Sequence, residues 1–179
     1  LVTIVGHFDG KDPQRLLLDM ARHPSLDVRR EALKQLLKRN GRVQRFFFFL
    51  LDDPSDIIRR EILSRLASER NRTSEEPLLE YLDQNAFNIS DSDHILACYT
   101  ALGKCGSSRS IPYLKATLEE RSWWEILNVG GSPQRRGAAV ALAELKIPEA
   151  DDILRQATRS FFPPIKRAAR NAIAGRQAK

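Results

Sequence analysis

The residues best equipped for chemistry in this chain are His94, Cys98 and Cys105. His94 and Cys98 stand four apart, so a helix would carry both on one face, the spacing that lets two side chains share a zinc ion. A structural zinc needs four ligands, and no second pair is spaced to complete the set. The two thiols, seven residues apart, are separated by roughly 10 Å of helical rise, too far for a disulfide. No metal is therefore expected, and free thiols suit a reducing cytoplasm. The histidines form no recognisable triad, and neither a Gly-rich phosphate loop nor a His-Glu-x-x-His motif is present. The paired carboxylates Asp52-Asp53, Asp151-Asp152 and Glu119-Glu120 fall at expected helix ends, where turn formation and the helix dipole account for acids. No catalytic residue and no cofactor is expected.

What positions these residues is an internal repeat. The segment Val28-Arg-Arg-Glu-Ala-Leu-Lys-Gln-Leu36 returns as Ile58-Arg-Arg-Glu-Ile-Leu-Ser-Arg-Leu66, then at His94–Leu102, Gln134–Leu142 and Ile165–Ile173. The spacings are 30, 36, 40 and 31 residues. Each copy places apolar or small side chains at i, i+4 and i+8, one face of a helix. Between copies lie shorter apolar patterns, Leu16-Leu17-Leu18, Leu78-Leu79, Ile111 with Leu114 and Leu118, and Ile153-Leu154, which predict partner helices of about three turns. Ser132-Pro133 and Pro163-Pro164 read as helix starts, and Thr73-x-x-Glu76 as a capping box. Leu1–Gly6 aligns with Cys98–Gly103 and reads as the tail of a truncated first helix. Helix pairs of this kind cannot bury their apolar faces alone and must stack.

Within this frame His94 replaces Val28 and Ile58, and Cys98 replaces Ala32 and Ile62, so both are expected to face the core. Arg29, Arg59, Arg135 and Lys166 also share one repeat position. They could form a row of cations for phosphates; the favoured reading is a structural ladder pairing with acids such as Asp27 and Asp56.

These repeats resemble HEAT repeats, in particular the bacterial kind named after the phycobilisome lyases. The resemblance rests on Asp27-Val28-Arg29, on Ala101-Leu102-Gly103 followed by Ile111-Pro112-Tyr113-Leu114, and on Ala138-Ala139 with Ala141-Leu142. It implies an all-α fold, a right-handed α-solenoid of about five helix pairs, the first truncated, forming one domain over residues 1–179 of a longer chain. Such repeats serve many roles, so the resemblance speaks to fold and not to function. The third copy departs from the frame, with His94-Ile95 where Val-Arg is expected.

Composition and charge narrow the partners. The longest apolar run, Phe46–Leu51, is too short to span a bilayer, and no signal peptide opens the chain. A net charge of +6 permits nucleic-acid binding, but its distribution opposes it. Residues 29–45 hold seven Lys/Arg and one Glu, residues 159–179 six Lys/Arg and no acid, and residues 74–93 six acids and no base. The resemblance places the second helices on the concave face; they carry Asp19, Glu75, Glu76, Glu80, Asp83, Glu119, Asp151 and Asp152 beside Arg15, Arg45, Lys115 and Arg155. A surface so mixed repels a phosphate backbone along much of its length. The stripe Arg30, Lys34, Lys38 belongs to a first helix and reads as a solvated face, with a partner contact as the alternative.

Two features exceed what the repeat requires. In Phe46–Leu51 the register predicts Val43, Phe46 and Leu50 in the core, leaving Phe48 and Phe49 outward. The insertion around Trp123-Trp124 adds aromatic residues to a link that is otherwise short. Exposed aromatic groups of this kind mark contact sites; the alternative is that the insertion folds back over the phenylalanine run or a solenoid edge. The sequence thus predicts a non-catalytic, cytoplasmic, bacterial scaffold that binds another protein, or another domain of its parent chain, through Trp123, Trp124, Phe48 and Phe49 with Arg30, Lys34 and Lys38. The alternatives are a nucleic-acid-binding protein, similar to the HEAT-like DNA glycosylases, and a lyase-like subunit acting on a partner protein. No membrane partner is expected.

Overall fold

A computed structural model describes Val2 and residues 11–84, 91–121 and 132–178. Among the described residues all regular structure is helical, with no strand. Residues 1–65 cluster as one compact unit and residues 66–179 as a second. The helix tail expected at Leu1–Gly6 lies, apart from Val2, outside the described residues.

In the first unit, helix α1 (Lys11–Met20) packs against α2 (Leu26–Asn40). Leu17 is fully buried, as are Ala32, Leu33 and Leu36 of the repeat frame. Gly41 ends α2 in the left-handed region, φ 69°, and its N–H returns 2.9 Å to the Leu37 carbonyl, a termination that favours glycine. The phenylalanine run then forms a 3₁₀ helix, Arg45–Asp52, in place of the expected α-helix. That change resets the register. Val43 and Leu50 are buried as predicted, but Phe47, not Phe46, fills the core between them, and Phe46 is half-exposed. Three residues per turn align Phe47 with Leu50, whereas an α-helix would have aligned Phe46 with Leu50. Helix α3 (Asp56–Glu69) follows, and the division between the units falls within its length.

The second unit carries α4 (Glu75–Gln84), α5 (Ser92–Cys105), α6 (Ile111–Glu119), α7 (Pro133–Leu145), α8 (Pro148–Ala157) and α9 (Pro163–Gln177). Ser132 caps α7 by accepting the Arg135 N–H at 3.4 Å, with Pro133 at the first helical position, and Pro163-Pro164 open α9. The expected box at Thr73 is replaced by another device. Asn71 accepts the Thr73 N–H at 3.1 Å to cap a 3₁₀ turn, Arg72–Ser74, which feeds into α4.

The frame helices stack on one another, α5 against α7 and α7 against α9, while the partner helices α6 and α8 also touch. Small residues make the first contact close. A Cβ on Gly103 would stand 2.7 Å from both the Cα and the carbonyl oxygen of Ala141, and one on Gly137 would stand 2.5 Å from Cδ2 of Tyr99. Ala101, Leu102, Ala138, Ala139, Ala141 and Leu142 are fully buried around this contact. Burial of this apolar surface is the main force holding the unit together, at about 25 cal/mol per Å² removed from water. Among the described residues no helix is long and apolar enough to cross a membrane.

Candidate interaction surfaces

The three arginines at the shared repeat position, Arg29, Arg59 and Arg135, are structural, but their partners are not the predicted ones. Arg29 forms a two-pronged ion pair with Asp53, Nε to Oδ2 at 2.8 Å and Nη2 to Oδ1 at 3.0 Å, with both side chains buried. Its third nitrogen, Nη1, donates to the carbonyls of His23 and Pro24 at 3.0 and 2.8 Å. Arg59 donates to the Asp53 carbonyl at 2.7 Å. Arg135, almost fully buried, donates through Nε to the Leu118 carbonyl at 3.0 Å and through Nη2 to that of Glu120, and its guanidinium lies 5.7 Å from the Phe162 ring centroid. Each arginine thus satisfies carbonyls just before or just after the end of the preceding helical segment, groups that a helix terminus leaves unpaired. Asp56, expected in the ladder, pairs instead with Arg60 one turn along α3, N to O at 3.3 Å. An arginine so engaged is unavailable to a phosphate.

His94 and Cys98 face the core as expected. The His94 Nε2 lies 3.1 Å from the Tyr81 hydroxyl and 3.7 Å from the Cys98 sulfur. Cys105 points elsewhere, its thiol donating 3.2 Å to the Leu66 carbonyl, and burial pushes its pKa up to about 11. The three residues are therefore not assembled around a common point. Among the described residues no three His, Cys, Asp or Glu side chains gather as a metal cage.

Glu75, counted from sequence among surface acids, is buried. It accepts the Ser107 N–H at 2.8 Å, the Ser107 hydroxyl at 2.9 Å and the Ser110 hydroxyl at 2.5 Å. Burial alone would raise its pKa; the Ser110 and Ser107 hydrogen bonds and the charge of Arg109 outweigh it and hold the carboxyl below its ordinary 4.5. The sequence gives no local sign of this, because the partners lie more than thirty residues on. A depressed carboxylate adds stability above its unfolded pKa and loses it as pH falls through the folded value. Glu75→Gln should therefore cost about 2 kcal/mol at pH 7. In urea melts from pH 7 to pH 3, the gap between wild type and variant should be constant above pH 5 and shrink below 4.5. A gap that widened with acid would contradict the assignment.

The predicted contact residues fall into three groups. Trp123 and Trp124 lie outside the described residues. Phe48 and Phe49 are half-buried, not projecting, and the Arg22 guanidinium lies 4.2 Å over the Phe49 ring. Arg30, Lys34 and Lys38 are exposed along α2. Asp27, Glu31 and Glu61 share a shallow depression with Arg30 and Lys34, so the stripe is interleaved with acid.

The partner helices of the second unit carry the opposite sign from the chain as a whole. Glu76, Glu80 and Asp83 of α4, Glu119 of α6, and Glu149 and Asp152 of α8 are exposed, against exposed Lys115 and Arg155. Arg155 is in turn 3.4 Å from Asp152, and Glu76 is 3.1 Å from Arg109.

Residues 134–160, covering nearly all of α7 and the whole of α8, match the PBS lyase HEAT-like repeat. No curated protein sequence matches the chain.

Proposed function

We propose that this chain is a non-catalytic scaffold, a right-handed solenoid of HEAT-like repeats that binds another protein, in the cytoplasm of a bacterium. The observation that carries the reading is the acidic exposed layer on α4, α6 and α8. In HEAT-like arrays the second helices form the inner, binding face; here that face would repel a phosphate backbone and suit a protein surface. The arginines that might have offered phosphate contacts at a regular spacing are already spent on helix-end carbonyls and Asp53. A preorganised frame loses little entropy on binding, which favours recognition by shape. Trp123 and Trp124 are proposed as partner anchors, with Phe48, Phe49, Arg30, Lys34 and Lys38 as further contacts.

Fluorescence anisotropy with a labelled DNA duplex tests this reading. Binding should be weak, independent of sequence, and lost between 50 and 200 mM salt, the behaviour of scattered cations (about one counterion released per phosphate contacted). Tight duplex binding that persists at physiological salt, or release of alkylated bases, would replace the scaffold with a nucleic-acid protein.

A further inference from the structure

Within the first unit, the turn between α1 and α2 and the end of the 3₁₀ helix enclose a cleft of about 340 Å³. Its floor is the Arg29–Asp53 pair, which is internally satisfied: Asp53 also accepts the Ser55 N–H at 2.8 Å, and Arg29 donates to two carbonyls. The Phe49 ring and the rings of Pro24 and Pro54 supply its apolar lining. The α1–α2 lip carries hydrogen-bond donors. The Arg22 guanidinium carbon lies 4.2 Å over the Phe49 ring centroid, a contact through the π face that does not use up its N–H donors. His23 accepts the Ser25 N–H at Nδ1, 3.0 Å, so in the neutral ring the proton resides on Nε2, and this second donor is not spent on the turn. The opposite lip ends in Asp52, an exposed acid.

We propose that this cleft, as part of the protein-binding role above, takes an extended segment of the partner in which an apolar side chain is followed by an acidic one. The apolar side chain lies between the Phe49 and proline rings, and the carboxylate accepts from Arg22 and His23. The size fits: pockets that hold a small ligand begin near 300 Å³ and use a few placed polar groups for orientation. Aromatic and proline rings lose little freedom on contact, so the site is preorganised.

The test is an NMR titration of the intact chain, isotope-labelled, with acetyl-leucyl-glutamate amide and acetyl-leucyl-glutamine amide. Expected are saturable shifts in residues 21–24 and 49–54 with the glutamate peptide, and at least tenfold weaker binding of the glutamine peptide. Arg22→Ala should weaken the glutamate peptide tenfold or more and the glutamine peptide far less, and should lower the melting temperature by no more than about 1–4 °C, the worth of an exposed cation–π contact. Equal affinity for the two peptides, shifts confined to other residues, or no shifts at millimolar peptide would each overturn the proposal. So would 4-methylpentanoate binding as well as the peptide, which would mark a small-molecule site. These outcomes are separate from the DNA titration: the cleft can fail while the scaffold stands, and duplex binding would remove the scaffold whatever the peptides do.

Discussion

Arg29→Ala should lower stability by about 3–5 kcal/mol, the largest effect expected of any single substitution here. Removing one partner of a buried ion pair leaves the other charge uncompensated, which costs far more than the pair contributes as a whole. Here the variant strands the Asp53 carboxylate, only 6% exposed, and the His23 and Pro24 carbonyls together. A domain of this length loses about 2–4 °C per kcal/mol, so the melting temperature should fall by roughly 6–20 °C. Adding Asp53→Ala should recover part of the loss, because the stranded charge goes with it. Recovery stays incomplete, since Asp53 also holds the Ser55 N–H. A double-mutant cycle measures the coupling. A loss below about 1 kcal/mol for Arg29→Ala, the scale of a surface pair, would show that the pair does not tie the turn to the 3₁₀ helix.

The second large effect is expected at Gly103. Its missing side chain is where α5 meets the backbone of Ala141, and there is no flexible tip to move aside. Gly103→Val forces the helices apart and should cost about 3 kcal/mol, the upper range for overpacking. Gly175 in α9 supplies the control, because a Cβ there meets nothing within 4 Å. Gly175→Ala should stabilise by about 0.5–1 kcal/mol through helix propensity alone. Thermal melts of the two variants should move in opposite directions. If both rise, the contact between α5 and α7 is looser than described.

The repeat frame was legible because periodicity is a local property. Apolar positions at helical spacing located the cores of α2, α3, α5, α7 and α9, and Ser132-Pro133 and Pro163-Pro164 marked two helix starts. His94 and Cys98 were recognised as core residues by their alignment with aliphatic ones. Three things escaped. A run of four phenylalanines is apolar in every direction and carries no period, so nothing in it separates an α-helix from the 3₁₀ helix that buries Phe47. The acid for Arg29 was sought nearby, at Asp27, whereas Asp53 is 24 residues away and reached only through the fold. Glu75 was hidden for the same reason. Of the proposed cleft, Phe49 was singled out by sequence, but the donors Arg22 and His23 were not, since only the packing of the turn against the 3₁₀ helix brings them to it.

The meeting of Gly137 with Tyr99 bears on whether the repeats are interchangeable parts. At the position of Gly137 the other copies carry Glu31, Glu61, Ala97 and Ala168, and at the position of Tyr99 they carry Leu33, Leu63, Ala139 and Arg170. The bulky residue on α5 and the absent one on α7 are therefore matched to each other and to no other copy. Putting any other copy in the place of α7 would set a Cβ against the Tyr99 ring, where the native contact already leaves only 2.5 Å for one. The chain reads as a repeat, but at this junction it behaves as a lock and its key, and the order of its units is written in a single missing methyl group.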